Sequence, residues 1–259
     1  MNKLFNHRKL TTAELLQFHE QGYLNVGRTL TDYGLESLIT ESMASWKAEK
    51  QAYNDSASWL KNSLLVDIHK KSPTAKSFYF NGPLVDITEQ LIGPNIKGVT
   101  SPLTFKMRGN TKAFGWHQDN GYGELDPYNA VTTLTALDDT DEENGCLRII
   151  PGSHKQGQID VSHIINSDTK SKQVSIDLEV DESKAIPAKM KAGETLIFSC
   201  FFLHQSQGNF SKTRDRRILF LRYSDADAVE VYNDRKPRLG RLLRGKTNFQ
   251  EVAEYEQDL

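Results

Sequence analysis

From residue 96 to residue 223 the chain is a succession of short β-branched or aromatic segments: Ile96–Thr100, Leu103–Met107, Phe114–Asp119, Ala130–Leu137, Cys146–Ile150, Gln173–Leu178, Thr195–Leu203 and Arg217–Tyr223. Clusters of Gly, Pro, Asn and Asp separate them, and that punctuation belongs to strands. About eight strands at this spacing predict a mainly β fold with a closed or sandwich-like core.

Helical signals come before this run. Thr11-Thr12-Ala13-Glu14 reads as a capping box, with Thr11 as N-cap and Glu14 at the third helical position, and Gly22 is the stop. Tyr23–Val26 reads as extended. A longer helix is expected from Thr31 or Asp32, with Leu35, Leu38, Ile39, Met43 and Trp46 on one core-facing stripe. Another follows Asn81-Gly82-Pro83 and stops at Gly93-Pro94. Residues 50–80 are mixed and carry no clear assignment. The expected organisation is one domain over residues 1–259, with helical support over about 1–95 packed on one face of a β core over 96–224. The polar 225–259 stretch, with Arg235, Arg238, Arg241 and Arg244, is expected as a lid or surface tail. The acidic run Asp138–Glu143 reads as a solvated turn.

Charge excludes several classes. A net charge of −2, from 32 Lys+Arg against 34 Asp+Glu, leaves no footprint for nucleic acid or a membrane surface. The first residues carry charge but no apolar stretch, and no run of 18 apolar residues follows. A cytoplasmic protein is therefore expected, not a secreted or spanning one. Cys146 and Cys200 sit in apolar, strand-like stretches and read as reduced core thiols.

Chemistry-bearing residues gather in three places. In Trp116-His117-Gln118-Asp119 the histidine and the carboxylate lie two residues apart, so an extended backbone points both the same way. Two of the three ligands of a 2-His-1-carboxylate iron site can thus come from one short strand. With 7 histidines and 18 aspartates in the chain, a chance His-x-Asp has about even odds, so the motif alone decides little. His204 follows the apolar segment Thr195–Leu203, where a strand's end can deliver a histidine into a cavity. Taken by itself, it is more simply a buried histidine bonded to backbone. Arg214, Arg216 and Arg217 then head the apolar stretch Ile218–Leu221. One of them can aim a guanidinium into the same cavity, where it would imply an acidic ligand.

These segments, with Asn144-Gly145-Cys146-Leu147-Arg148-Ile149-Ile150-Pro151-Gly152-Ser153-His154 and the spacing His204, Ser206, Asn209, Arg216, resemble the phytanoyl-CoA dioxygenase family. Its members are non-haem Fe(II)- and 2-oxoglutarate-dependent oxygenases on a double-stranded β-helix of the jelly-roll or cupin kind. The likeness runs from Thr11 to about Tyr223. It implies that His117, Asp119 and His204 are the iron ligands and catalytic centre. It implies that Arg216 binds the distal carboxylate of 2-oxoglutarate, assisted by Ser206. Lys106 and Thr132 are further candidates for the cosubstrate pocket. The family places its arginine one residue closer to the histidine, and Arg214 and Arg216 flank that spacing. Arg216 is preferred because it heads the strand. A tryptophan that many members carry near Leu134 or Thr135 is missing. His154 reads as structural.

The implied chemistry uses Fe(II), 2-oxoglutarate and O2, and releases succinate and CO2. Hydroxylation of a small molecule is the simplest outcome; desaturation, cyclisation and epoxidation stay open. Asp119 speaks against halogenation, because related halogenases carry Ala or Gly there. The expected substrate is an amino acid, another small acid or a natural-product intermediate. Arg222 and the C-terminal arginines would suit an anionic one, and solvated surface arginines explain them equally well. Two other readings stand beside this one: a cupin-like metalloenzyme independent of 2-oxoglutarate, and a non-catalytic metal- or ligand-binding barrel. The sequence gives no oligomeric state.

Overall fold

The computed structural model describes residues 3–50, 64–119, 125–160 and 178–259. In chain order the elements are α1 (Thr12–Gln21), β1 (Tyr23–Arg28), α2 (Asp32–Lys50), β2 (Leu64–Leu65), α3 (Pro73–Asn81), α4 (Pro83–Ile92), β3 (Ile96–Thr100), β4 (Leu103–Lys106), β5 (Phe114–His117), β6 (Leu125–Asp126), β7 (Ala130–Ala136), β8 (Leu147–Ile149), β9 (Ile186–Ala188), β10 (Glu194–Ser199), β11 (His204–Ser206), β12 (Arg216–Asp225), β13 (Val229–Glu230), β14 (Lys236–Pro237), β15 (Arg241–Arg244) and α5 (Gln250–Glu254).

The helix starts follow local chemistry. Thr11 accepts from Glu14 N while the Glu14 carboxylate accepts from Thr11 N, the reciprocal bonds of a capping box. Gly22 ends α1 at φ 78, a conformation open to glycine without steric cost. A Cβ there would also lie 2.3 Å from His154 Nδ1. α3 falls in the unassigned 50–80 stretch. Its signals are local too: Ser72 caps Ala75 N, and Pro73 opens the first turn.

Two antiparallel sheets face each other as a jelly-roll sandwich, the expected fold. The larger runs β1-β10-β7-β12-β3-β15, with β4 also on β12 and β2 on β4; the smaller runs β5-β11-β8-β9. A ribbon, β14-β13-β6, lies apart from both. Side chains alternate across each strand. On β12, Ile218 and Phe220 face the small sheet and pack with Leu134, Phe198 and Leu147. Leu219, Leu221 and Tyr223 turn the other way, onto Phe78, Leu84 and Ile87 of α3 and α4. The helices therefore cover one face of the large sheet, and the space between the sheets holds a second core and the site. β7 is buried at every position, so its sequence shows no alternation.

Several expectations are corrected. Thr195–Leu203 is not one strand. β10 ends at Ser199, and a turn closed by Phe202 N to Ser199 O (2.9 Å) carries the chain to the other sheet, where β11 begins at His204. Cys200, Phe202 and Leu203 stay buried through the crossing, so the apolar run hides the break. Residues 225–259 are an ordered extension of the core. β15 is an edge strand of the large sheet on β3, and Val252 of α5 is fully buried. The acidic run is the expected, largely exposed turn, and its carboxylates form surface ion pairs: Asp138 with Arg217, Asp139 with Lys191, and Asp141 and Glu143 with Arg214. Of the expected strand Gln173–Leu178, residues 173–177 lie outside the described residues, and Leu178 is buried without strand pairing. Cys146 and Cys200 are free and buried, and burial pushes the Cys146 thiol up to about 11. Among the described residues no helix is long and apolar enough to cross a membrane.

Candidate metal centre

β5 and β11 are neighbours in the small sheet, and their register sets His204 opposite His117. The ring centroids are 4.2 Å apart. Asp119, two residues on, returns to the side of His117. Its Oδ1 lies 3.9 Å from His117 Nε2 and 3.6 Å from His204 Nε2, and one donor atom from each residue lies within 4.8 Å of the others.

Backbone carbonyls turn both rings. His117 Nδ1 lies 2.8 Å from Gly115 O, and His204 Nδ1 lies 3.0 Å from Phe202 O. A carbonyl only accepts, so each Nδ1 carries a proton and each Nε2 is the nitrogen left facing Asp119. Burial, helped by His117, pushes His204 down to about 4 against the pull of Asp119. It is neutral near pH 7, as a metal ligand must be. Burial alone would raise Asp119, but His204, Arg222, His117 and Thr132 together hold it below the usual carboxylate range.

His117 and His204 form part of the wall of a cavity of about 240 Å³ between the sheets. Phe114, Leu134, Ile218 and Phe220 make it apolar, and Ser206 and Arg216 give it polar atoms. Arg216 heads β12 on the same face as Ile218 and Phe220. It is 3% exposed. Its Nη1 donates to Gly145 O at 3.2 Å and its Nε has no partner. Among the described residues no carboxylate pairs with it, and burial pushes it down to about 10. Such a guanidinium is set up for an anion from solution. Arg214, the alternative, is engaged at the surface by Asp141 and Glu143.

Lys106 and Thr132 do not line the cavity. Lys106 Nζ donates to Ser206 O (2.9 Å), Ser206 Oγ (2.6 Å) and Gln207 O (2.5 Å). All three ammonium protons are used, so the side chain braces the end of β11. Burial and Arg216 push it down to about 6, while the three acceptors suit its charged form. The Thr132 hydroxyl donates to Asp119 Oδ2. His154 ties the 153–156 turn to the end of α1 through His19 O at 3.0 Å.

Two residues near the centre escaped the sequence reading or were placed wrongly by it. Gln118 faces away from the ligands. Its amide donates to Gly157 O (2.8 Å) and Phe201 O (2.7 Å) and accepts from Ile159 N (2.9 Å). The signal was available, since the middle residue of an extended His-x-Asp must point to the opposite side. Arg222 is neither at the surface nor in the cavity wall: it is 7% exposed and donates from Nη1 to Asp119 O at 3.0 Å. Arg235, Arg238 and Arg244 are ion-paired, and Arg241 stacks over Phe80.

Phytanoyl-CoA dioxygenase 1 of Oryza sativa subsp. japonica is 29% identical over 163 residues, which are 63% of this chain but only 57% of the rice protein's length. Ectoine dioxygenase of Bordetella parapertussis is 23% identical over 221 residues, 78% of this chain and 71% of that protein. The solved structure of EctD from S. alaskensis with 2-oxoglutarate and 5-hydroxyectoine superposes with a TM-score of 0.70 at 19% identity, over 92% of this chain and 88% of that one, and shares the fold. The phytanoyl-CoA dioxygenase (PhyH) family model matches residues 18–218. With that match spanning both His117-x-Asp119 and His204, the chain belongs to the phytanoyl-CoA dioxygenase family.

Proposed function

We propose that this protein is a non-haem Fe(II)- and 2-oxoglutarate-dependent dioxygenase that hydroxylates a small molecule and releases succinate and CO2. The observation that carries this is a juxtaposition: three donor atoms within 4.8 Å stand beside a cavity that holds a buried arginine without an acid. Two imidazole nitrogens and one carboxylate oxygen are the donor set of the facial iron triad. Three ligands leave positions open, whereas a structural zinc site would be closed by a fourth. When bound, the iron supplies the oxygen chemistry that couples decarboxylation of 2-oxoglutarate to oxidation of the substrate.

The chain's own residues do the rest. His117, Asp119 and His204 hold the ion. Arg216 forks onto the far carboxylate of the cosubstrate, and the Ser206 hydroxyl adds a polar contact beside it. Lys106 fixes Ser206 in place. The apolar wall of Phe114, Leu134, Ile218 and Phe220 keeps water out. The ectoine dioxygenase relative supports a small, diffusible substrate. The two free thiols support a reducing, cytoplasmic compartment.

The test is succinate release with Fe(II), O2, 2-oxoglutarate and a panel of small metabolites. Turnover is expected with at least one, to stop on adding a chelator, and to fall to background in Asp119→Ala and His204→Ala. A wild-type protein that binds no Fe(II) and forms no succinate with any candidate overturns the reading.

A further inference from the structure

The geometry points to Thr132 as a positioning residue that makes Asp119 a ligand through one oxygen only, an inference that rests on the iron-site reading above. β5 ends at His117, so no strand pairing fixes the carboxylate two residues further on. What fixes it comes from the opposite sheet. Thr132 and Arg222 stand directly across from each other in the register of β7 and β12. Thr132 Oγ1 donates to Asp119 Oδ2, and Arg222 Nη1 donates to the Asp119 carbonyl at 3.0 Å. The two bonds hold Oδ2 and the main chain toward the large sheet. They leave Oδ1 facing the two imidazoles, 3.9 and 3.6 Å away.

A carboxylate ligates through one oxygen or both. Asp119 with Oδ2 unheld is free to rotate and offer both. The second oxygen would then take a position that the cosubstrate or dioxygen needs. The other threonines of β7 do not share the task. Thr133 bonds Leu221 O at 3.2 Å, and Thr135 bonds the Thr195 hydroxyl at 2.7 Å. Thr132 is the one aimed at the site.

Thr132→Val removes the hydroxyl and keeps the shape, and Thr132→Ser keeps the hydroxyl. Metal-free protein is titrated with Co(II), and with Fe(II) under anaerobic conditions, with thermal unfolding of each metal-free variant as the fold control. Thr132→Val is expected to bind both metals about 10- to 100-fold more weakly, the range for losing an outer hydrogen bond to a ligand. Thr132→Ser should stay close to wild type. 2-Oxoglutarate should also bind the Co(II)-loaded Val variant more weakly. Thr132→Ala serves if the Val variant does not fold, with the same expected loss. Unchanged metal affinity in the hydroxyl-free variant overturns the inference alone. A wild type that binds no metal, or binds it no better than the His117→Ala/His204→Ala double variant, overturns the iron-site reading as well.

Discussion

A guanidinium buried without a counter-ion burdens the ligand-free protein, and Arg216 is in that state. Removing a buried charge that has no partner does not destabilise as breaking a pair does. Arg216→Met keeps the apolar stem and drops the charge. Its ligand-free unfolding temperature should equal or exceed that of wild type. In wild type, 2-oxoglutarate at 100 times its Kd should add about 2.7 kcal/mol of stability, and in the variant nothing. Thermal unfolding with and without 2-oxoglutarate checks this; a Met variant that still responds contradicts it. The choice between Arg214 and Arg216 stayed open in the sequence, whose expected strand began at Arg217. On β12, Arg216 has the parity of Ile218 and Phe220, which face the cavity. Arg214 has it too, but lies before the strand begins, where parity stops applying. The ligand triad was legible through the family resemblance, because His117-x-Asp119 and His204 taken singly decide little. The bonds of Thr132 and Lys106 were not, because their partners lie on segments distant in sequence.

His117-Gln118-Asp119 works as an element because its two sides do different jobs. One side presents ligands, and Gln118 on the other ties the strand end to the 157–159 loop and to the crossing at Phe201. Gln118→Ala leaves the Ile159 N–H and two carbonyls without these partners. That should destabilise the fold by about 1–3 kcal/mol and weaken metal binding in parallel. Urea unfolding and Co(II) titration of the same preparation test the link. A variant that loses stability but keeps wild-type metal affinity would show that the anchor serves the loop alone. Most strands were visible because alternation and turn residues mark them. The crossing from β10 to β11 was not, since Cys200, Phe202 and Leu203 stay buried through it and Phe201 between them is equally apolar.

At the scale of the molecule, the two stretches without a readable pattern hold each other. β15 and α5 close one edge of the large sheet, and the residues after α5 reach the segment before α3. His69, 5% exposed, sets Nδ1 2.5 Å from Ser101 Oγ and Nε2 3.1 Å from Glu256 Oε2. Neither 64–72 nor 225–259 carries a strong period, because long-range polar contacts and sheet edges organise much of them. The clasp makes stability depend on pH. Burial lowers His69 below its usual value, and Glu256 only partly restores it. The folded protein therefore favours neutral His69, while the unfolded chain takes up a proton below about pH 6.5. The stability this residue contributes is present above that value and lost as pH falls below it. Unfolding free energy of the metal-free protein should decline from pH 7 to 5.5. In His69→Gln, which keeps a hydrogen-bonding side chain but cannot titrate, the decline should be shallower. The slope that remains is shared by His204, also held neutral by burial with a folded value of about 4, and by buried Lys106, lowered to about 6. Equal slopes for wild type and His69→Gln would remove His69 as a source of the effect. A decline that survives in His69→Gln and vanishes in His204→Ala would assign all of it to the metal centre.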